Sequence, residues 1–237
     1  MNKNNNSQIT TSDMNVIEFN NLRYRWKGRQ QDIINIDTLR VQKKEHTFLR
    51  GESGSGKTTL LNLLAGILVP TTGEICMLGK NTHDMRAAQR DRFRSDHIGI
   101  IFQQFNLLPY LSIIDNVLLP CYFSKRRREK ANDIRKTATY LLDHLKLDKS
   151  MQQRPVTELS VGQQQRVAVA RALIGKPEII IADEPTSALD TNTRNDFLSL
   201  LFDEAETQGS TILFVSHDPY IAEHFPRVIE LDEVNQQ

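Results

Sequence analysis

In the first fifty residues the apolar positions come in short, partly alternating runs. They are Val16-Ile17-Glu18-Phe19, Ile33-Ile34-Asn35-Ile36 and Thr47-Phe48-Leu49. Runs of this length and period read as strands. The third is followed at once by Arg50-Gly51-Glu52-Ser53-Gly54-Ser55-Gly56-Lys57-Thr58-Thr59, then by Leu60, Leu61, Leu63, Leu64, Ala65 and Ile67 in helical spacing. Pro70 and Gly73 are predicted to end that helix, and Glu74 to Leu78 reads as another short strand. A charged helix is predicted from Met85 to Asp96, a buried strand from Ile98 to Phe102, and helices with polar breaks from about Ile113 to Leu147. A further helix is predicted from near Ser160 to about Ile174. The strands Glu178 to Ala182 and Thr211 to Ser216 then flank a helix from about Thr191 to Thr207. Strands alternating with helices imply an α/β fold with a mostly parallel sheet, into which the helical middle is inserted. There is no internal repeat, so the chain carries one set of parts.

Composition narrows the classes. The chain has 237 residues, 39% hydrophobic, with 30 basic against 29 acidic side chains and a net charge of +1. That balance argues against a protein whose main partner is nucleic acid. Cys76 and Cys121 stand far apart in no metal-ligand spacing and read as reduced thiols of a cytosolic protein. Residues 1–14 are rich in Asn, Ser and Thr with no apolar core, so they read as a disordered tail rather than a signal peptide, ahead of one domain over 15–237. The longest strongly apolar stretch, Leu60 to Val69, is about half the ~20 residues a bilayer requires, so the protein is expected to be soluble. The basic run Lys125-Arg126-Arg127-Arg128, broken by Glu129, reads as a solvated helix face, with a membrane-adjacent face as the alternative.

Two segments carry chemistry. Gly51-x-x-x-x-Gly56-Lys57-Thr58 has the P-loop pattern. Glycines let backbone N–H groups converge on phosphates, and the following helix aims its positive end at the same place. Lys57 would supply charge at the β- and γ-phosphates, and the Thr58 hydroxyl would complete a Mg²⁺ shell. Glu178-Ile179-Ile180-Ile181-Ala182-Asp183-Glu184 is an apolar strand ending in two carboxylates, at the sheet edge where α/β proteins bind ligands. Asp183 is placed to hold Mg²⁺, and Glu184 could accept a proton from an attacking water.

Leu159-Ser160-Val161-Gly162-Gln163-Gln164-Gln165-Arg166 resembles the signature motif of the ATP-binding cassette family. Gln103 stands as that family's Q-loop glutamine, Ser187-Ala188-Leu189-Asp190 as its D-loop, and His217 as its switch histidine; the resemblance covers about Val16 to Leu231. It implies a P-loop NTPase (RecA-like) core with an antiparallel β-subdomain and an inserted helical subdomain over roughly 104–160. It further implies ATP and Mg²⁺ as cofactors. The phosphates would meet the loop Gly51, Glu52, Ser53, Gly54, Ser55, Gly56, Lys57, Thr58 and Thr59; the metal would meet Thr58, Gln103 and Asp183; Glu184, His217 and Gln103 would act in catalysis. Ser160, Gly162 and Gln163 would serve the nucleotide of a second copy in a head-to-tail dimer, with Asp190 near its seam. Trp26 stands about where the family places an adenine-stacking aromatic, with Tyr24 as runner-up. Val161 departs from the family's usual glycine; a branched residue there can alter loop geometry and rate.

The resemblance implies an ATPase motor at the cytoplasmic face of the plasma (inner) membrane, coupled to separate permease subunits, with no nucleic-acid partner. The apolar, proline-marked Phe105-Asn106-Leu107-Leu108-Pro109 is similar to the groove where a permease helix docks. Together with Asp115 to Pro120 it resembles the lipoprotein-releasing and macrolide-exporter group. The alternatives are a soluble cassette ATPase acting on DNA or ribosomes, and the motor of a small-molecule importer.

Overall fold

The computed structural model describes residues 15–52, 54–187 and 191–236, with 191 and 192 described by their backbone alone. The elements run β1 (Asn15–Tyr24), β2 (Ile34–Gln42), β3 (Thr47–Arg50), α1 (Lys57–Leu64), β4 (Thr72–Met77), β5 (Lys80–Asn81), α2 (Ala87–His97) and β6 (Ile98–Ile101). Then follow α3 (Ile113–Phe123), α4 (Lys125–Ala131), α5 (Ile134–His144) and α6 (Val161–Leu173). The chain closes with β7 (Ile179–Asp183), α7 (Thr191–Gln208), β8 (Thr211–Ser216), α8 (Pro219–Ala222), β9 (Arg227–Glu230) and α9 (Leu231–Val234).

Two sheets form. One is antiparallel with order β2-β1-β4-β5; the other is parallel with order β6-β7-β8-β3-β9. Successive side chains of a strand point to opposite faces, and a parallel sheet is covered on both. Strand β7 shows this directly. Ile180 and Ala182 join a core with helices α3, α5 and α6, whereas Ile179 and Ile181 join a core with α1 and the antiparallel sheet. The same split holds in β8 for Ile212 and Phe214 against Leu213 and Val215.

The first helix stops well short of Pro70. It ends at Leu64, where Gly66 takes φ +66°, a left-handed geometry that glycine adopts at a helix end without steric cost. The basic run on α4 also departs from a solvated face. Lys125 and Glu129 do form an exposed pair, but Arg127 is only 1% exposed. Its guanidinium donates to the carbonyls of Ile98, Ala172 and Ile174, spanning β6 and the end of α6. Its neighbours Arg126 and Lys130 converge on Glu178, which also meets His97 Nδ1 at 2.9 Å. Burial works against the charged carboxylate of Glu178, but these three partners outweigh it and hold the group far below the usual carboxylate range. The run therefore fastens α4 to the sheet.

Candidate functional site

Four connections leave the same edge of the parallel sheet. The loop 51–56 follows β3, Gln103 follows β6, Asp183 ends β7 and His217 follows β8. Because all five strands run the same way, these segments gather at one side without any of them being near another in sequence. Between them lies a cavity of about 400 Å³ lined by Ile33, Gly54, Gly56, Lys57, Thr58, Thr59, Gln103, Asp183 and Glu184.

Gly54 and Gly56 have φ +92° and +98°, which L side chains rarely adopt, so the loop needs glycine at both. Gly56 is also the N-cap of α1, so the unpaired N–H groups of that helix open on the cavity. Lys57, 9% exposed, donates to the carbonyls of Gly51 (2.7 Å) and Glu52 (2.8 Å), with Glu184 Oε1 3.8 Å away. Its ammonium is thus held inside the loop it serves. Ser53 lies outside the described residues, as do Ala188, Leu189 and Asp190.

Glu184 sits at φ +41°, uncommon for a residue with a side chain, and its N–H donates to Val215 O at 2.8 Å across to β8. Its Oε1 is 3.1 Å from His217 Nδ1. Burial pushes the Asp183 carboxyl above its ordinary value, the adjacent Glu184 charge adds to this, and Lys57 opposes it. Among the described residues no cluster of three or more His, Cys, Asp or Glu is placed to hold a metal. Instead Asp183 stands with the oxygens of Thr58 and Gln103 around one cavity. One carboxylate and neutral oxygens suit a hard cation that keeps water and phosphate oxygens in its shell.

The remaining candidates lie elsewhere. Ser160, Gly162 and Gln163 are not among the described residues that line the cavity. They open α6 in a capping box: Ser160 Oγ accepts from the Gln163 N–H and Gln163 Oε1 accepts from the Ser160 N–H. A Cβ at Gly162 would meet only Thr193 Cγ2, at 3.6 Å, and Val161 beside it is 47% exposed. Trp26 is 44% exposed, whereas Tyr24 is 8% exposed, within the core around the antiparallel sheet, and meets the Trp26 ring edge-on at 5.2 Å. Of the two, Trp26 is the ring with a face to offer, although it does not line the cavity.

Three further residues shape the site: Ile33 and Arg171 outside the motifs, and Gln165 within the signature segment but with no role assigned to it there. Ile33 lines the cavity because its N–H pairs with Tyr24 O at the close of the β1–β2 hairpin, a contact with no local sequence signal. Gln165, buried on α6, donates to Pro185 O at 2.7 Å, tying that helix to the turn after Glu184. A glutamine opening the apolar run Val167 to Ala170 was the available hint. Arg171 on the same helix donates to the carbonyls of Phe105 and Asn106, both at positive φ, and so shapes the segment after Gln103.

Residues 34–187 match the sequence profile of the family described as ABC transporter. The "Uncharacterized ABC transporter ATP-binding protein MJ0796" of Methanocaldococcus jannaschii is 37% identical over 220 residues, covering 92% of this chain and 94% of that protein. The "Macrolide export ATP-binding/permease protein MacB" of Rhodopirellula baltica is 37% identical over 210 residues, 89% of this chain; the chain spans only 30% of that protein. Among solved structures, a dimeric post-hydrolysis state of the MJ0796 cassette bound to ADP and Pi superposes with TM-score 0.82 at 35% identity, covering 93% of this chain and 97% of that one.

Proposed function

This chain belongs to the ABC transporter family, and we propose that it is the ATP-hydrolysing motor of a transporter whose permease lies on a separate polypeptide. The observation that carries the reading is the convergence of Lys57, Thr58, Gln103, Asp183 and Glu184 on one cavity from separate strands. ATP brings its phosphates to the loop 51–56 and the N-terminus of α1; there Lys57 exchanges its two carbonyl partners for phosphate oxygens. Thr58, Gln103 and Asp183 would hold Mg²⁺, which when bound would supply positive charge to the phosphates. Glu184 accepts the proton of the attacking water, and His217, in contact with its Oε1, steadies that carboxylate. Trp26 stacks on the adenine.

Two copies assemble head to tail, each lending Ser160 and Gly162 to the other's nucleotide. The open space around Gly162 supports this, since the chain's own fold gives no reason to forbid a side chain there. So does the dimeric state named for the MJ0796 cassette. No helix among the described residues is long and apolar enough to cross a membrane. The permease is of the lipoprotein-releasing or macrolide-exporter type, reached from the cytoplasmic face. It docks in the groove of about 340 Å³ between β6 and α3 that Phe102, Leu119, Pro120 and Phe123 line, rather than against the segment Phe105 to Pro109 expected from the sequence, none of which lines that groove. The likeness to MacB supports the exporter type.

The test is Glu184→Gln. It is expected to bind ATP while turnover falls at least 100-fold, and to shift from monomer to dimer on ATP addition in size-exclusion chromatography. Wild-type turnover in the variant overturns the base; hydrolysis by a strict monomer at concentration-independent specific activity overturns the paired engine.

A further inference from the structure

We propose that Asn235, near the far end of the chain from the phosphate loop, is a positioning residue that holds that loop in shape for ATP. The proposal rests on the reading of the cavity as the ATP site. Asn235 is 6% exposed, and its amide bonds to three backbone groups. Oδ1 accepts from the Asn35 N–H at 2.6 Å, while Nδ2 donates to Ile33 O at 3.0 Å and Ser55 O at 3.3 Å. The next residue adds two more ties, with Gln236 N–H donating to Asn35 O and Asn35 Nδ2 donating to Gln236 O. One side chain therefore bridges the end of the β1–β2 hairpin and the phosphate loop.

What it grips matters. Ser55 O and the Gly56 N–H belong to one peptide unit, and in a planar trans peptide the two point in opposite directions. Fixing the Ser55 carbonyl toward Asn235 turns the Gly56 N–H the other way, and Gly56 lines the cavity. The second partner, Ile33, lines the same cavity, and its carbonyl would lie 3.2 Å from a Cβ on Gly56. The other end of the loop is braced by the same segment: buried Leu231 on α9 brings its Cβ to 3.2 Å from where a Cβ on Gly51 would stand. The segment 231–236 thus supports the loop at its first glycine and just before its last, from the side away from the ligand. Anion-binding N–H groups are effective when their direction is set before the anion arrives. Such a brace acts on ATP affinity and leaves the chemical step to Glu184.

Two variants of the full chain test this. Asn235→Asp keeps the acceptor for the Asn35 N–H and loses both donors; Asn235→Ala loses all three bonds. Both are expected to raise the Kd for a fluorescent ATP analogue, and the KM for ATP, about tenfold, with turnover at saturating ATP changing less than twofold. Leu198→Ala, in the core on the other side of the sheet, is the control: at a temperature where it stays folded, it lowers Tm without moving Kd. Wild-type affinity in Asn235→Asp overturns the proposal, as does a Kd change no larger than a control of equal Tm loss shows. If Asn235→Asp does not fold, Asn235→Ser is read by the same criteria. Failure of the wild type to bind ATP would instead overturn the nucleotide reading itself.

Discussion

The phosphate cradle and the attachment of the helical region use opposite means to hold a shape. In the cradle, glycines at φ +92° and +98° leave backbone groups bare, and one lysine is held by two carbonyls of its own loop. The loop's own glycines and lysine are contiguous in sequence, with Asn235 and Leu231 bracing it from outside. The helical region is instead fastened to the sheet by long cationic side chains that reach far in sequence. Arg127 reaches Ile98 and Ala172, Arg171 reaches Phe105 and Asn106, and Arg126 and Lys130 reach Glu178. The lysine of a site that must accept a charged ligand is held by nearby carbonyls that it can exchange for that ligand, whereas the cations of the joint are bound to distant partners for good. Burial pushes the Arg127 and Arg171 guanidiniums each down to about 10, so both remain charged under any ordinary condition.

The comparison breaks if damage to one region spreads to the other. The largest separation is expected for Lys57→Ala: ATP affinity falls about 100-fold by equilibrium titration, while Tm moves by at most about 3 °C. Next comes Arg127→Met, which strips a donor from three backbone carbonyls at a buried site. It is expected to cost about 3 kcal/mol in urea unfolding, with ATP affinity of the folded fraction changed less than twofold. The smallest effect belongs to Glu178. Its folded pKa is depressed below the ordinary 4.5, so its contribution is fully present above that value and lost as pH falls below it toward the folded pKa. Glu178→Gln should therefore lower Tm at pH 7 and narrow its gap to wild type between pH 4.5 and pH 3. A constant gap across that range would assign Glu178 a packing role only.

The same contrast explains what could be read from the chain. Loop 51–59 was legible because its chemistry is contiguous, and the strand before Asp183 was legible because a run of isoleucines has one natural place in an α/β sheet. Gln103 and His217 needed the family resemblance, since a single polar residue after a strand has many ordinary explanations. Arg127 looked solvated because charge in a row predicts exposure. Only the fold brings three carbonyl groups of β6 and α6 to its guanidinium. Asn235 is some 200 positions from Ile33 and Asn35, and no periodicity registers a bond of that range. The early stop of α1 turned on Gly66, a better helix terminator than the proline four residues later.

Strand β7 has one more lesson. Its alternate residues belong to two separately packed interiors, and its last residue, Asp183, lines the cavity proposed to hold ATP. A strand gripped on both faces is hard to displace by loosening either one alone. On the proposed docking of a permease to the helical side, that side can therefore change while the other interior keeps the carboxylates in register. The surface proposed to meet a partner and the edge proposed to react are in this way divided by one wall.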